Sequence, residues 1–536
     1  MLYQFNHTTF RVIEHIMKQV EKQHLKKSKS TQTALTFLDI DKMMSIASIS
    51  AHSDGDYGTN EEDKENEEDK EDNNYDDASD MEIEEPTLSD DDLGLLHEET
   101  LILIDEFIKS NPLLFSNPDF ETIVYDHVQQ SILHFSINYR MYDDDDYSGG
   151  ENNDCDEDEN ETVMSCQIDE LINVAMHDYF KYIRPHRSYK YSFIRKSPNL
   201  EKMKKKIEFL ESLYQPEQKT DEWYSHRHGL ITASSVWKAF GSQSVQNQLI
   251  YEKCMPFDPT KYSRVNTESP LHWGQKYEVL SKQLYEEING TKVQEFGCIR
   301  HPNPKYYFIG ASPDGINVCP LSPLYGRLVE IKNVVSREIN GIPKEDYWIQ
   351  MQIQMEVCNL PECDFEETKF TEYEDEDAFN ADSDETNDSS KWNYNLNGKR
   401  RGVIVYFAKD EKPFYQYVPL NITTKAEFDE WFEETVNTHD NLTWIKNIYW
   451  RLEVYSCVLV LRNKEWFKNA VVKIEELWKT IETEKQTGFE HRAPKRNAKK
   501  EYNSEGVIGT IGTIETTGTI GTTGTIQRVC HLDLNI

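Results

Sequence analysis

Residues Ser312 to Lys332 read SPDGINVCPLSPLYGRLVEIK: an Asp in a tight turn, a loop, then an alternating segment with Glu330 and Lys332 one residue apart. A strand sends successive side chains to opposite faces, so Glu330 and Lys332 project one way while Val329 and Ile331 project the other, into a core. The stretch therefore predicts a sheet on which two carboxylates and one amine converge. That set suits a divalent cation: hard Mg²⁺, with Mn²⁺ as a substitute, takes oxygen ligands, screens an anionic substrate and binds the attacking water of phosphodiester hydrolysis. Asp314 and Glu330 are the expected metal ligands, and Lys332 the group that holds and polarises the water. Acidic-x-Lys strings also arise by chance on the solvated face of an edge strand, so other segments must decide.

Upstream, Trp273, Tyr277, Leu280, Leu284 and Ile288 recur at spacings of three and four, which predicts an amphipathic helix over 271–288. Glu278 lies about 100° round from that stripe and shares its face with Gly274, Ser281 and Tyr285. It reads either as a ligand reaching the metal site or as an ordinary surface glutamate. Further upstream, a helical stretch from Trp223 breaks at Gly229 and restarts after Thr232, Ser234 and Ser235, residues suited to N-capping. Free N–H groups, hydroxyls and the Arg227 guanidinium meet there, a match for a terminal phosphate, although a capping motif with Arg227 on the surface reads equally well. Downstream, Tyr347 to Val357 mixes apolar residues with Gln350, Gln352 and Gln354 and has no charge before Glu356. A mostly buried helix is expected. Its amides need partners, because an unpaired buried amide costs about 1–3 kcal/mol; DNA or other helices could supply them.

Taken in order, WxxxRxGxITAS, WGxxxE, GASPDG, VEIK and YxxQxQ closely resemble the phage lambda exonuclease and YqaJ viral recombinase family, a branch of the PD-(D/E)xK nucleases. The resemblance covers roughly residues 216–420 and implies a three-layer α/β, restriction-endonuclease-like core with a mixed sheet. It also implies a metal-dependent nuclease that degrades one strand of duplex DNA from a 5′ end, often beside a strand-annealing protein, and it admits a homotrimer around the DNA. Carried over residue by residue, Asp314 and Glu330 resemble the metal ligands, Lys332 the catalytic lysine and Glu278 the acidic residue of the preceding helix. Arg227, Ser234 and Ser312 resemble 5′-phosphate binders, and Gln350 the glutamine after the catalytic strand. Endonuclease action on branched or nicked DNA, or a silent DNA-binding recombination scaffold, are the alternatives to weigh.

A formal charge of −38 over 536 residues seems wrong for a DNA enzyme, but it is concentrated. Residues 53–92 carry −18, residues 143–161 carry −11 and residues 366–388 carry −10. Such blocks bury too little apolar surface to offset ordering entropy and read as loops or solvated linkers, or as intramolecular mimics of DNA. The opposite sign gathers between Lys181 and Lys206, where ten Lys or Arg accompany one acid, Glu201, among Tyr and Phe. That mixture suits phosphate contacts with aromatic stacking, and also an unliganded basic surface.

Nine cysteines occur singly, which predicts no structural zinc and no iron–sulfur cluster. Unpaired thiols, no signal segment and no membrane-length apolar run predict an intracellular protein. Abundant Asn, Lys, Ile and Tyr with low-complexity runs agree with an AT-rich genome, such as that of a large DNA virus.

The expected organisation is a helical segment over 1–52, an acidic linker over 53–94, a helical segment over 95–141 and a second acidic linker over 142–166. A helical basic segment over 167–215 leads into the nuclease core over 216–420, with an acidic insertion at 366–390. A helical cap over 421–490, with Trp431, Trp444, Trp450, Trp466 and Trp478 on apolar stripes, precedes a low-complexity tail over 491–536. Within the core, strands are expected near 293–300, 305–311, 326–334, 402–408 and 414–419.

Overall fold

Among the described residues, helices precede the first strand. In the computed structural model, residues 90–143, 157–218, 220–258, 266–383, 391–409 and 412–494 are described. The helices are α1 (Asp90–Ser110), α2 (Phe120–Asp143), α3 (Glu157–Asp178) and α4 (Leu200–Ser212). Asn199 caps α4 by accepting from the Lys202 N–H. The basic segment is only partly helical: after a π turn at Tyr179–Ile183, residues 184–199 are largely irregular. Both acidic linkers are shorter than expected, since helix begins at Asp90 and again at Glu157. The expected helix near the N-terminus, most of both acidic blocks and the tail lie outside the described residues.

Next come α5 (Asp221–His228), β1 (Ile231–Thr232), the single turn α6 (Ala233–Val236), α7 (Gln243–Cys254) and α8 (Pro270–Asn289). The last has Pro270 in its first turn, Ser269 as N-cap and Gly290 at φ +56° as its left-handed stop. Four short strands follow: β2 (Val293–Gln294), β3 (Ile299–Arg300), β4 (Ile309–Ala311) and β5 (Gly315–Asn317). The strand expected over 293–300 is thus two strands, and they belong to different sheets.

The remaining elements are β6 (Leu328–Asn333), α9 (Glu345–Cys358), β7 (Glu362–Glu372), α10 (Glu376–Ala381), β8 (Arg401–Lys409), β9 (Lys412–Tyr417), α11 (Lys425–Thr438), β10 (Thr443–Leu461) and α12 (Lys464–Thr487). A seven-stranded mixed sheet runs β2-β5-β6-β7-β10-β8-β9, and β6 lies parallel to β7. A small sheet, β1-β4-β3, flanks it.

Two expectations fail in this sheet. The helical cap is interrupted: β10 is a 19-residue strand in the middle of the sheet, so Trp444 and Trp450 sit on a strand. Its Ile, Val, Tyr and Trp content favours a pleated surface, and the spacing of six between these tryptophans turns about 240° on a helix and so does not keep one helical face. The acidic insertion is also misplaced at its start, because residues 366–372 complete β7, where Glu366 and Glu367 are buried.

The sheet is sandwiched. Val329 and Ile331 pack with Tyr285 of α8 on one face, while Glu330 meets Gln350 and Gln354 of α9 on the other. One continuous core then joins α9 to the N-terminal helices and α12 through Phe115, Ile172, Tyr179, Trp348, Ile353 and Trp466.

Candidate active site

β5 and β6 pair antiparallel with Gly315 opposite Val329, so the next pair outward is Asp314 opposite Glu330. Residues directly opposite share a face of the sheet, and the two carboxylates therefore stand side by side. A Cβ on Gly315 would meet Val293 Cγ1 at 2.1 Å, so only glycine lets the turn approach β2 closely enough to deliver Asp314. Asp314 Oδ2 then accepts the Ile331 N–H at 2.8 Å, continuing the ladder with a side chain just before β5 begins.

Glu330 is fully buried. Gln350 Nε2 donates to its Oε1 at 2.7 Å and Gln354 Nε2 to its Oε2 at 2.6 Å. The two glutamines are one helical turn apart on α9, hence on one face. Lys332 forms an ion pair with Glu330 Oε1 and lies 5.1 Å over the Tyr347 ring. Burial works against the Lys332 ammonium, but Glu330 and Asp314 outweigh it and hold its pKa above the ordinary lysine value. Burial, then the Glu330 charge, push the Asp314 carboxyl well above its usual range; Lys332 and the Ile331 N–H oppose this, and Glu278 adds to it.

The residues expected to bind a phosphate lie on the cavity side. Thr220 caps α5 by accepting the Trp223 N–H, and Gly229 ends the helix after His228, with Arg227 in its last turn. The Arg227 guanidinium stacks 4.4 Å over Trp223 and donates to Ser234 Oγ at 3.4 Å. Behind it Lys253 Nζ donates to the Arg227 carbonyl at 2.8 Å. Burial, then the Arg227 charge, push the Lys253 ammonium down to about 8. A cavity of about 220 Å³ is lined by Arg227, Ser234, Glu278, Ser312, Asp314 and Gln350. Six of the eight residues singled out in the sequence thus face one space, and Glu330 and Lys332 stand directly against Asp314 and Gln350.

Among the described residues, no group of three or more His, Cys, Asp or Glu side chains gathers to hold a metal ion. Asp314 and Glu330 supply two adjacent carboxylates, and Mg²⁺ is held by one or two carboxylates while keeping waters and substrate oxygens. The donor set fits that ion. Burial first, and Glu330 second, raise the Asp314 pKa, and a divalent cation bound there would act in the opposite direction.

Residues 222–368 match the YqaJ-like viral recombinase domain. All eight site residues fall inside this YqaJ-like segment. A protein of Acanthamoeba polyphaga mimivirus, described as uncharacterized protein R354, is 30% identical over 338 residues, 56% of this chain and 57% of that protein. The chain thus spans under two thirds of the length of this viral relative. The alkaline exonuclease LHK-Exo of Laribacter hongkongensis overlaps 50% of this chain and 95% of its own, at 18% identity and a TM-score of 0.28. Its complex with dAMP overlaps the same shares at 19% identity and a TM-score of 0.28.

Gln354, Tyr347 and Lys253 stand at the site as well, with no role expected for them from sequence. Gln354 carried a signal, since it lies four residues after Gln350 in an uncharged, buried helix. Lys253 carried none: only the fold brings α7 behind Arg227. Gln350 turns its amide to Glu330 while its side chain also lines the cavity. Gln352 faces away and joins α9 to Leu461 and Asn463.

Among the described residues, no helix is long and apolar enough to cross a membrane.

Proposed function

We propose that this chain is a Mg²⁺-dependent DNA exonuclease of the PD-(D/E)xK type that hydrolyses duplex DNA from 5′ ends during viral recombination. One observation carries the reading: Asp314, Glu330 and Lys332 converge beside a cavity whose far wall holds Arg227 and Ser234. The match of residues 222–368 to a viral recombinase domain supports the recombination setting.

Asp314 and Glu330 would hold the cation, which when bound supplies charge neutralisation at the phosphoryl oxygens and a more acidic water. Gln350 and Gln354, one turn apart on α9, fix the Glu330 carboxylate in one orientation. The Lys332 ammonium, raised in pKa by its two carboxylate neighbours, stays protonated and presents N–H donors to the attacking water. Arg227, braced by Trp223, offers a planar fork to a terminal phosphate, with the Ser234 hydroxyl beside it.

The test uses a 5′-phosphorylated, end-labelled linear duplex beside a closed circle, both with magnesium. Loss of nucleotides from 5′ ends alone is expected, and Lys332→Ala should abolish it while circular dichroism and thermal melting stay close to the parent. Nicked circles would turn the reading to an endonuclease, and undiminished cleavage by Lys332→Ala would refute the site.

A further inference from the structure

The basic segment before the YqaJ-like domain has no part in the site above, yet its geometry is specific. Between Tyr179 and Leu200 there is no acidic residue, while Lys181, Arg184, Arg187, Lys190, Arg195 and Lys196 fall within it. The backbone is pinned from behind. The Tyr189 and Ser192 N–H groups donate to Leu459 and Cys457 of β10 at 2.9 Å, Ser192 Oγ donates to Asp364 at 2.7 Å, and Arg327 donates to the Phe193 carbonyl at 3.0 Å. With the chain held this way, Tyr191 is 66% exposed, Phe193 44% and Ile194 49%, and Lys190, Arg195 and Lys196 are exposed among them.

The strip continues onto α4. A cavity of about 520 Å³ there is lined by Asn199, Glu201, Lys202, Lys205, Lys206 and Phe209, and the Phe209 ring is 49% exposed. Lys205 pairs with Glu201, but Lys190, Arg195, Lys196 and Lys202 enter no ion pair among the described residues. Burial, and after it Lys202, Arg462 and Lys464, lower the Lys206 pKa.

The strip also leads somewhere. Trp348, in the first turn of α9, donates to the Arg187 carbonyl, and Lys206 donates to the carbonyl of Asn359 at the other end of that helix. The segment from Arg187 to Lys206 therefore touches α9 at both ends of that helix, roughly 16 Å apart at 1.5 Å per residue.

We propose that the strip from Lys190 to Phe209 is a binding track for single-stranded DNA, with Tyr191, Phe193 and Phe209 stacking on unpaired bases and Lys190, Arg195, Lys196 and Lys202 contacting phosphates. The inference rests on the nuclease reading, whose reaction leaves one strand unpaired. Duplex DNA can use the cations, but its bases already stack on one another and offer no face to exposed rings. An acidic peptide, such as this chain's own residues 53–92, needs only the cations.

The experiment uses the full chain in EDTA, so that nothing is cut, with fluorescein-labelled oligo-dT and a duplex of equal length read by anisotropy. Tyr191→Ala with Phe193→Ala should weaken dT binding by roughly tenfold or more and leave duplex binding unchanged. Arg195→Gln, Lys196→Gln and Lys202→Gln together should lower the salt slope for dT by about 2, at about 0.7 per phosphate contact. All these side chains are exposed, and melting curves check that the variants fold. Unchanged dT affinity in the ring variant, or equal loss for dT and duplex, overturns the track. Binding of a synthetic 53–92 peptide that ignores the ring substitutions and falls with the cation substitutions would assign the strip to that acidic segment instead. The two readings fail separately. A chain that cuts nothing but holds dT through these rings refutes the nuclease alone, and one that cuts but ignores the ring substitutions refutes the track alone.

Discussion

Glu330 has both carboxylate oxygens engaged inside the protein, and the engagement comes from one helix and one lysine. Gln354 is the buried member of that set, at 1% exposure, and its only visible task is to donate to Oε2. Partners of metal-ligating carboxylates orient them, and losing one typically costs 10–100-fold in affinity or activity. Gln354→Leu keeps the volume and the helix while removing the donor. The expected outcome is a fall in kcat of roughly 10–100-fold, with a stability change of about 1–3 kcal/mol for the acceptor left without its donor. Steady-state rates on labelled duplex, with urea melts of the same preparation, check it; a kcat equal to that of the parent would show that Gln350 and Lys332 suffice to hold Glu330.

At the level of elements, what the sequence made legible was what local spacing controls. The helices expected over 271–288 and 347–357 appear as Pro270–Asn289 and Glu345–Cys358, and the alternation around Glu330 puts it on the face opposite Val329 and Ile331. What was not legible depended on burial by distant segments. β7 reads ECDFEETKFTE, a charge-rich string that looks like the start of an acidic loop, yet it lies between β6 and β10. Its acids are tolerated unequally. Asp364 is matched by Arg327, Ser192 and Tyr285, and Glu367 by Arg337, but neither carboxyl oxygen of Glu366 has a hydrogen-bond partner among the described residues. Burial, then Asp364 and Asp314, push the Glu366 pKa well above 4.5. A carboxyl whose folded pKa is raised stabilises fully below its unfolded pKa and loses that contribution as pH rises through the folded value. Glu366→Gln has no proton to lose. Its stability relative to the parent should therefore climb between pH 5 and pH 8.5, by at most about 1.4 kcal/mol per pH unit. Urea midpoints at the two pH values decide, and a constant difference would mean that Glu366 finds a partner when it ionises.

For the molecule as a whole, the question is why the helices before the YqaJ-like segment stay attached to it. They share its apolar core, and one buried residue also ties them to the helix that orients Glu330. Arg187, 4% exposed, donates from Nη2 to the Ser116 carbonyl at 3.0 Å and accepts the Trp348 indole N–H at its own carbonyl at 2.9 Å. Ser116 Oγ in turn donates to Glu345, the first residue of α9, at 2.8 Å. Burial pushes the Arg187 guanidinium down to about 10 against the attraction of Glu345, Asp119 and Glu121, so it stays charged at neutral pH. This is a short strap from the N-terminal helices to the turn preceding Gln350. Arg187→Ala leaves the Ser116 carbonyl buried without its donor and loosens the strap, at a cost of about 1–3 kcal/mol. The loss should be local before it is global: amide hydrogen exchange should quicken across residues 345–350 while β6 and β7 keep their protection. Cleavage should fall in step, because Gln350 and Gln354 then hold Glu330 less firmly. Exchange that rises equally through the sheet would make Arg187 an ordinary core contact, and unchanged exchange over 345–350 would show that α9 takes its position from its apolar face alone.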